Sequence, residues 1–259
     1  MDSNEFADKY SLGYDTLVKT QGKVFADKIP EVIAVFRDPA VHPETKKFLA
    51  GQVGLWGSVT AGPLKTKKIK EHHKALLDLV VELSCAEAQD IKNGDDDDYA
   101  GPAGVAHELV EMIGQVCSTD TTQKLSAVVA PAAVNALEKI LAKGLPMNEE
   151  GMFFKEGAST HRTEVCQYLL RIMPYSGAQL KIPNAMACYS KILLGDDFPD
   201  NLKTQARSQV NTTLGVNKAT MKHCGPQIME IIKAGDNDQL IMCFTTAPDM
   251  YAANPAVVH

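Results

Sequence analysis

Three stretches of the chain combine residue types that carry metal or charge chemistry. "HELVE" (107–111) opens with His107 and Glu108, as a zinc-binding H-E-x-x-H helix does, but a glutamate stands where the second histidine is required. "NGDDDDYAG" (93–101) offers carboxylates for a calcium loop. Counted from Asp95 or Asp96, however, it reaches no glutamate at the twelfth place. His72 and His73 are adjacent, so a helix puts them on different faces and they cannot chelate one ion together. No nucleophile-elbow, dinucleotide-binding or phosphate-cradling glycine motif occurs. The expectation from these residues is no metal, no cofactor and no catalytic group.

Charge is concentrated in "LKTKKIKEHHKALLDL" (64–79), which places Lys65, Lys67, Lys68, Lys70 and Lys74 in the first turns of a helix. Cations at that end oppose the helix dipole, at a few tenths of a kcal/mol for each exposed residue. Two readings follow: a solvated face, or a site for an acidic partner in which Lys67, Lys70 and Lys74 share one face by their spacing of three and four. His73 falls in line with Ile69, Leu76, Val80 and Leu83, as a packing residue would.

Two further stretches are candidate partner surfaces. "FLAGQVGLWGSVTAG" (48–62) holds Gly51, Gly54 and Gly57 in a helical context, each at about 1 kcal/mol relative to alanine. Close approach of a neighbouring element would compensate, either inside the fold or at a partner interface centred on Trp56. Lys203, Arg207 and Asn211, spaced by fours opposite Leu202, Ala206 and Val210, form a polar row that lines a groove or faces solvent.

The elements that carry these residues are helices. Apolar residues recur at spacings of three and four and alternating strand-like runs are missing, so the expected fold class is all-α. Six prolines, Pro30, Pro63, Pro102, Pro131, Pro183 and Pro226, stand where apolar-periodic segments begin. Proline suits the first helical turn because the N–H it lacks has no intrahelical partner there. Four of the segments run to a glycine, Gly114, Gly144, Gly195 or Gly235, the residue that most readily ends a helix. "PAAVNALEKILAKG" (131–144) and "PNAMACYSKILLG" (183–195) share Lys-Ile-Leu at the same offset, which aligns Ile140 with Ile192. The prolines lie on average about 39 residues apart, near the period of two- or three-helix repeats. Their intervals range from 29 to 52 residues, so an irregular helical bundle is the alternative.

"CGPQIMEIIKAGDNDQLIMCFTTA" (224–247) resembles the second and third helices of an armadillo repeat, with Gly-Pro, an aliphatic helix, a Gly/Asp turn and another helix. "KIPNAMACYSKILLGDDFPDNLKTQARSQV" (181–210) and "KIPEVIAVFRDPAVHPETKKFLAGQVGLW" (28–56) are similar in layout, so the resemblance spans roughly 25–250 in outline. It implies a right-handed α-solenoid of armadillo/HEAT type with a concave groove, formed by residues 1–259 as a single helical-repeat domain with a possible internal division near 94–101. The chain has one tryptophan and no recurring asparagine, so peptide binding by a Trp/Asn ladder is not among the implications.

Composition bounds the function classes. With 259 residues and 45% hydrophobic content the chain can bury a sizeable core. A net charge of −6 disfavours bulk nucleic-acid binding. No apolar run reaches the length of a membrane span, and "MDSNEFADKY" lacks the basic-then-apolar pattern of a secretory signal. The six cysteines stand singly without zinc spacing, as buried reduced thiols of a cytoplasmic protein would. The leading expectation is a non-enzymatic adaptor or scaffold that binds another protein along a concave surface. A self-assembling helical nucleoprotein or coat subunit is the second. Asp95 to Asp98, following the basic helix, also allow a weak, salt-sensitive homo-oligomer through head-to-tail contact.

Overall fold

The computed structural model describes residues 3–20, 22–59, 62–86, 101–120, 124–145, 161–172, 183–196 and 198–216. Of these, 86% are helical and none is in a strand, so the described part of the chain is all-α. The helices are α1 (Ser3–Tyr10), α2 (Tyr14–Thr20), α3 (Lys23–Ala26), α4 (Ile29–Arg37), α5 (Pro43–Val59) and α6 (Gly62–Ser84). They continue with α7 (Pro102–Thr119), α8 (Lys124–Lys143), α9 (His161–Ile172), α10 (Pro183–Leu194) and α11 (Asp200–Val216).

Local signals account for several of the helix starts. Pro30 is the second residue of α4, Pro63 the second of α6, and Pro102 and Pro183 open α7 and α10, all within the first turn. Pro131 is different: it lies inside α8, which begins at Lys124. The start moved upstream because the Asp120 carboxylate accepts a hydrogen bond from the Leu125 N–H at 2.7 Å and satisfies a first-turn donor. Pro131 faces solvent, where its ring is accommodated, although it leaves the Ala127 carbonyl without its intrahelical donor. Pro226 is outside the described residues.

Helix ends divide the same way. Gly144 follows α8 with φ +88°, a left-handed terminator, and the Gly195 N–H following α10 bonds the Lys191 carbonyl at 3.1 Å. Gly114 terminates nothing, since α7 runs through it to Thr119. An interior glycine costs about 1 kcal/mol. The ten buried residues of α7, Leu109, Val110, Met112, Ile113 and Val116 among them, outweigh that cost. Gly235 is outside the described residues.

The principal contacts arrange the helices in two rows. One row runs α4, α6, α8, α10, each packed on the next. The other runs α5, α7, α9, α11, with α1 and α2 against α5. The rows are joined by α6 on α7, α8 on α9 and α10 on α11. A continuous core lies between them, from Phe25, Phe36 and Trp56 through Leu109, Ile113 and Leu137 to Tyr189 and Leu202. Ile140 and Ile192, the aligned pair, are both fully buried. By length and composition α8 would also suffice to cross a membrane; in the fold it packs on α6, α9 and α10.

Trp56 is part of that core and has no exposed surface. Its ring meets Phe25 edge-on at a centroid distance of 5.2 Å, and its Nε1–H donates to the Gly22 carbonyl at 3.3 Å. A partner interface centred on Trp56 is therefore corrected to internal packing. The glycines beside it are explained by α7: a Cβ on Gly57 would stand 2.7 Å from Met112 Cγ, and one on Gly54 would stand 2.9 Å from Glu108 Oε2. Gly51 has no such neighbour.

Candidate functional site

The five lysines of the basic cluster have three different environments. Lys65 is buried and its Nζ donates to the Gly57 carbonyl at 2.7 Å, so a cation at the start of α6 sits at the C-terminal end of α5. There the helix dipole favours positive charge, although burial pushes the Lys65 pKa down. Lys68 pairs with Asp27 at 2.8 Å and Glu71 at 3.4 Å. Lys67, Lys70 and Lys74 are exposed, and the nearest acid to Lys67 is Glu71 at 3.9 Å. The spacing argument thus selected the three that form a solvent-facing row.

Lys203 and Arg207 lie half-buried on α11 in the other row of helices. They do not join the α6 lysines in a common patch: α11 packs principally on α9 and α10. Asn211 is in α11, and its side chain is outside the described residues.

A second arrangement arises where α7 faces α9. His161, the first residue of α9, meets Glu164 one turn later, with Nδ1 to Oε2 at 3.0 Å. From α7, His107 brings Nε2 to 4.0 Å from the same Glu164 oxygen. The imidazole centroids are 5.9 Å apart, and the His107 ring also meets Tyr168 edge-on at 5.2 Å. The two histidine side chains are each 14% exposed and Glu164 is 28% exposed, so the group is sheltered yet open to small solutes. His107 Nδ1 is buried and makes no hydrogen bond among the described residues. Such an atom calls for an explanation, because an unmet polar atom in the interior costs roughly 1–3 kcal/mol.

Sequence reasoning set "HELVE" aside for lacking a histidine four residues on, and the fold supplies His161 from another helix. The available signal was "HRTE" (161–164), whose His and Glu share a helix face at a spacing of three. Glu108 turns toward α5 instead, where it lines an open cleft of about 280 Å³ with Lys47, Phe48, Gly51 and Gln52. Burial pushes its carboxyl pKa up.

Arg162, between His161 and Glu164 in sequence, serves the frame. It is buried and donates to the carbonyls of Ser84, Ala86 and Gly144, joining the ends of α6 and α8 beside α9. Cys117, Cys166 and Cys188 are buried, and burial raises all three thiol pKa values, Cys117 and Cys188 to about 12. These three are poor nucleophiles. His73 is buried as the periodicity indicated, with Nδ1 2.9 Å from the Lys70 carbonyl.

No family model matches the chain, and no curated protein or solved structure matches it. The residues that carry the armadillo resemblance most closely, 224–247, lie outside the described ones.

Proposed function

We propose that the chain is a non-enzymatic protein-binding scaffold, a right-handed α-solenoid of armadillo/HEAT type that receives an acidic partner. The observation that supports this reading is the two-row stacking, in which helices pack on their neighbours along a row and α6, α8 and α10 pack on α7, α9 and α11 across it. Repeat architectures bury a continuous core in this way and extend their outer faces for binding. Within it, Lys67, Lys70 and Lys74 on α6 are the candidate acidic-partner contact, and Lys203, Arg207 and Asn211 form a separate candidate row on α11. The nucleoprotein alternative draws on the same basic cluster, from which Lys65 and Lys68 are already engaged inside the fold.

The test is charge reversal of Lys67, Lys70 and Lys74 to glutamate, followed by quantitative affinity capture from native lysate. Exposed substitutions of this kind should leave helix content and thermal midpoint nearly unchanged. The expected outcome is selective loss of acidic proteins that wild type retains after nuclease treatment. Identical recovery by both forms would remove the α6 surface, and capture that nuclease abolishes would favour the coat-type reading.

A further inference from the structure

We propose that His107, His161 and Glu164 bind one divalent transition-metal ion of the zinc class. Their candidate ligand atoms all lie within 4.8 Å of one another. A zinc ion at about 2.1 Å from each ligand sets tetrahedral ligand atoms roughly 3.4 Å apart. The His161–Glu164 separation of 3.0 Å is already close to that, and the His107–Glu164 separation of 4.0 Å needs to shorten by about half an ångström. His107 is not tied through Nδ1, so rotation of its ring costs no hydrogen bond at that atom among the described residues.

The donor set decides the metal class. Two imidazoles and one carboxylate suit zinc, and related ions such as cobalt and nickel, whereas magnesium and calcium prefer oxygen ligands throughout. Three protein ligands leave a fourth tetrahedral position for water or a small exogenous ligand, and the partial exposure of all three side chains gives that position access. Because the ligands come from α7 and α9, the ion would fasten two neighbouring helices of one row. Binding to the folded form alone must then raise stability by mass action.

The experiment uses the full chain after chelator treatment and dialysis, titrated with zinc chloride at neutral pH by calorimetry and thermal unfolding. One zinc per chain and a raised thermal midpoint are expected. His107→Gln and Glu164→Gln should each weaken binding at least about tenfold, while His72→Ala should retain it. Histidine hydrogen exchange on the wild-type chain supplies a readout that needs no variant: zinc should slow exchange at His107 and His161 and leave His42 and His72 unchanged. Cobalt(II) in place of zinc should give a tetrahedral visible spectrum without thiolate charge transfer. Absence of stoichiometric zinc binding, affinity unchanged in His107→Gln, or a thiolate band would each overturn the site.

Discussion

Gly57 and Gly51 lie on the same helix, yet an added methyl group would have opposite consequences at the two. At Gly57 it would meet Met112 Cγ at 2.7 Å and the Met112 backbone at 3.3 Å, so α5 and α7 would have to separate. Gly57→Ala should destabilise the fold by about 1–3 kcal/mol, the range for overpacking a tight contact. Gly51 is exposed with nothing within 4 Å of the same position. Gly51→Ala should therefore stabilise by up to about 1 kcal/mol through helix propensity alone. Urea unfolding of both variants checks this pair, and equal signs would contradict the α5–α7 approach. The sequence exposed the cost of these glycines without saying which of them met a neighbour. It likewise showed five lysines in one stretch without showing that Lys65 caps another helix, because that bond to the Gly57 carbonyl depends on how the start of α6 meets the end of α5. For His107 the limitation was stronger. Its partners are 54 and 57 positions away in sequence, and ligand-spacing rules applied within one helix do not reach them.

At the scale of the element, the sequence was most legible where a local rule acts alone. Pro102 and Pro183 mark helix starts because a first-turn N–H needs no partner, and Gly144 marks an end because it adopts a left-handed conformation. It misled where packing or an earlier cap overrides such a rule, as at Gly114 and Pro131. Pro131 gives a direct measure of the override, since its exposed ring contributes little burial and its missing N–H leaves the Ala127 carbonyl without an intrahelical donor. Pro131→Ala restores a donor and removes the clash that a proline imposes on the preceding turn. Against a cost of about 3 kcal/mol for interior proline, a gain of about 1–3 kcal/mol is expected, observed as a higher urea midpoint with an unchanged slope. A loss of stability would mean that the local backbone geometry proline imposes at 131 is required for α8 to meet both α6 and α9.

The whole-molecule question is whether the two rows behave as a stack or as one indivisible core. In a stack, stability is a sum of local units and nearest-neighbour interfaces, so damage at one end stays there. In an irregular bundle of similar size, the same damage lowers protection throughout. Leu202 of α11 and Ile113 of α7 are both fully buried, and truncating either to alanine removes apolar contacts worth roughly 2–5 kcal/mol. They differ in position: α7 contacts α5, α6 and α9, while α11 is the last described helix of its row and lies against α9 and α10. Amide hydrogen exchange separates the two cases. In Leu202→Ala, exchange should accelerate in α10 and α11 and stay at wild-type rates in α5, α6 and α7. In Ile113→Ala it should accelerate across α5, α6, α7 and α9 together. Uniform acceleration in Leu202→Ala, reaching α5 to the same extent as α11, would show a single cooperative bundle. The solenoid reading, with the extended binding face it provides, would then have to be given up.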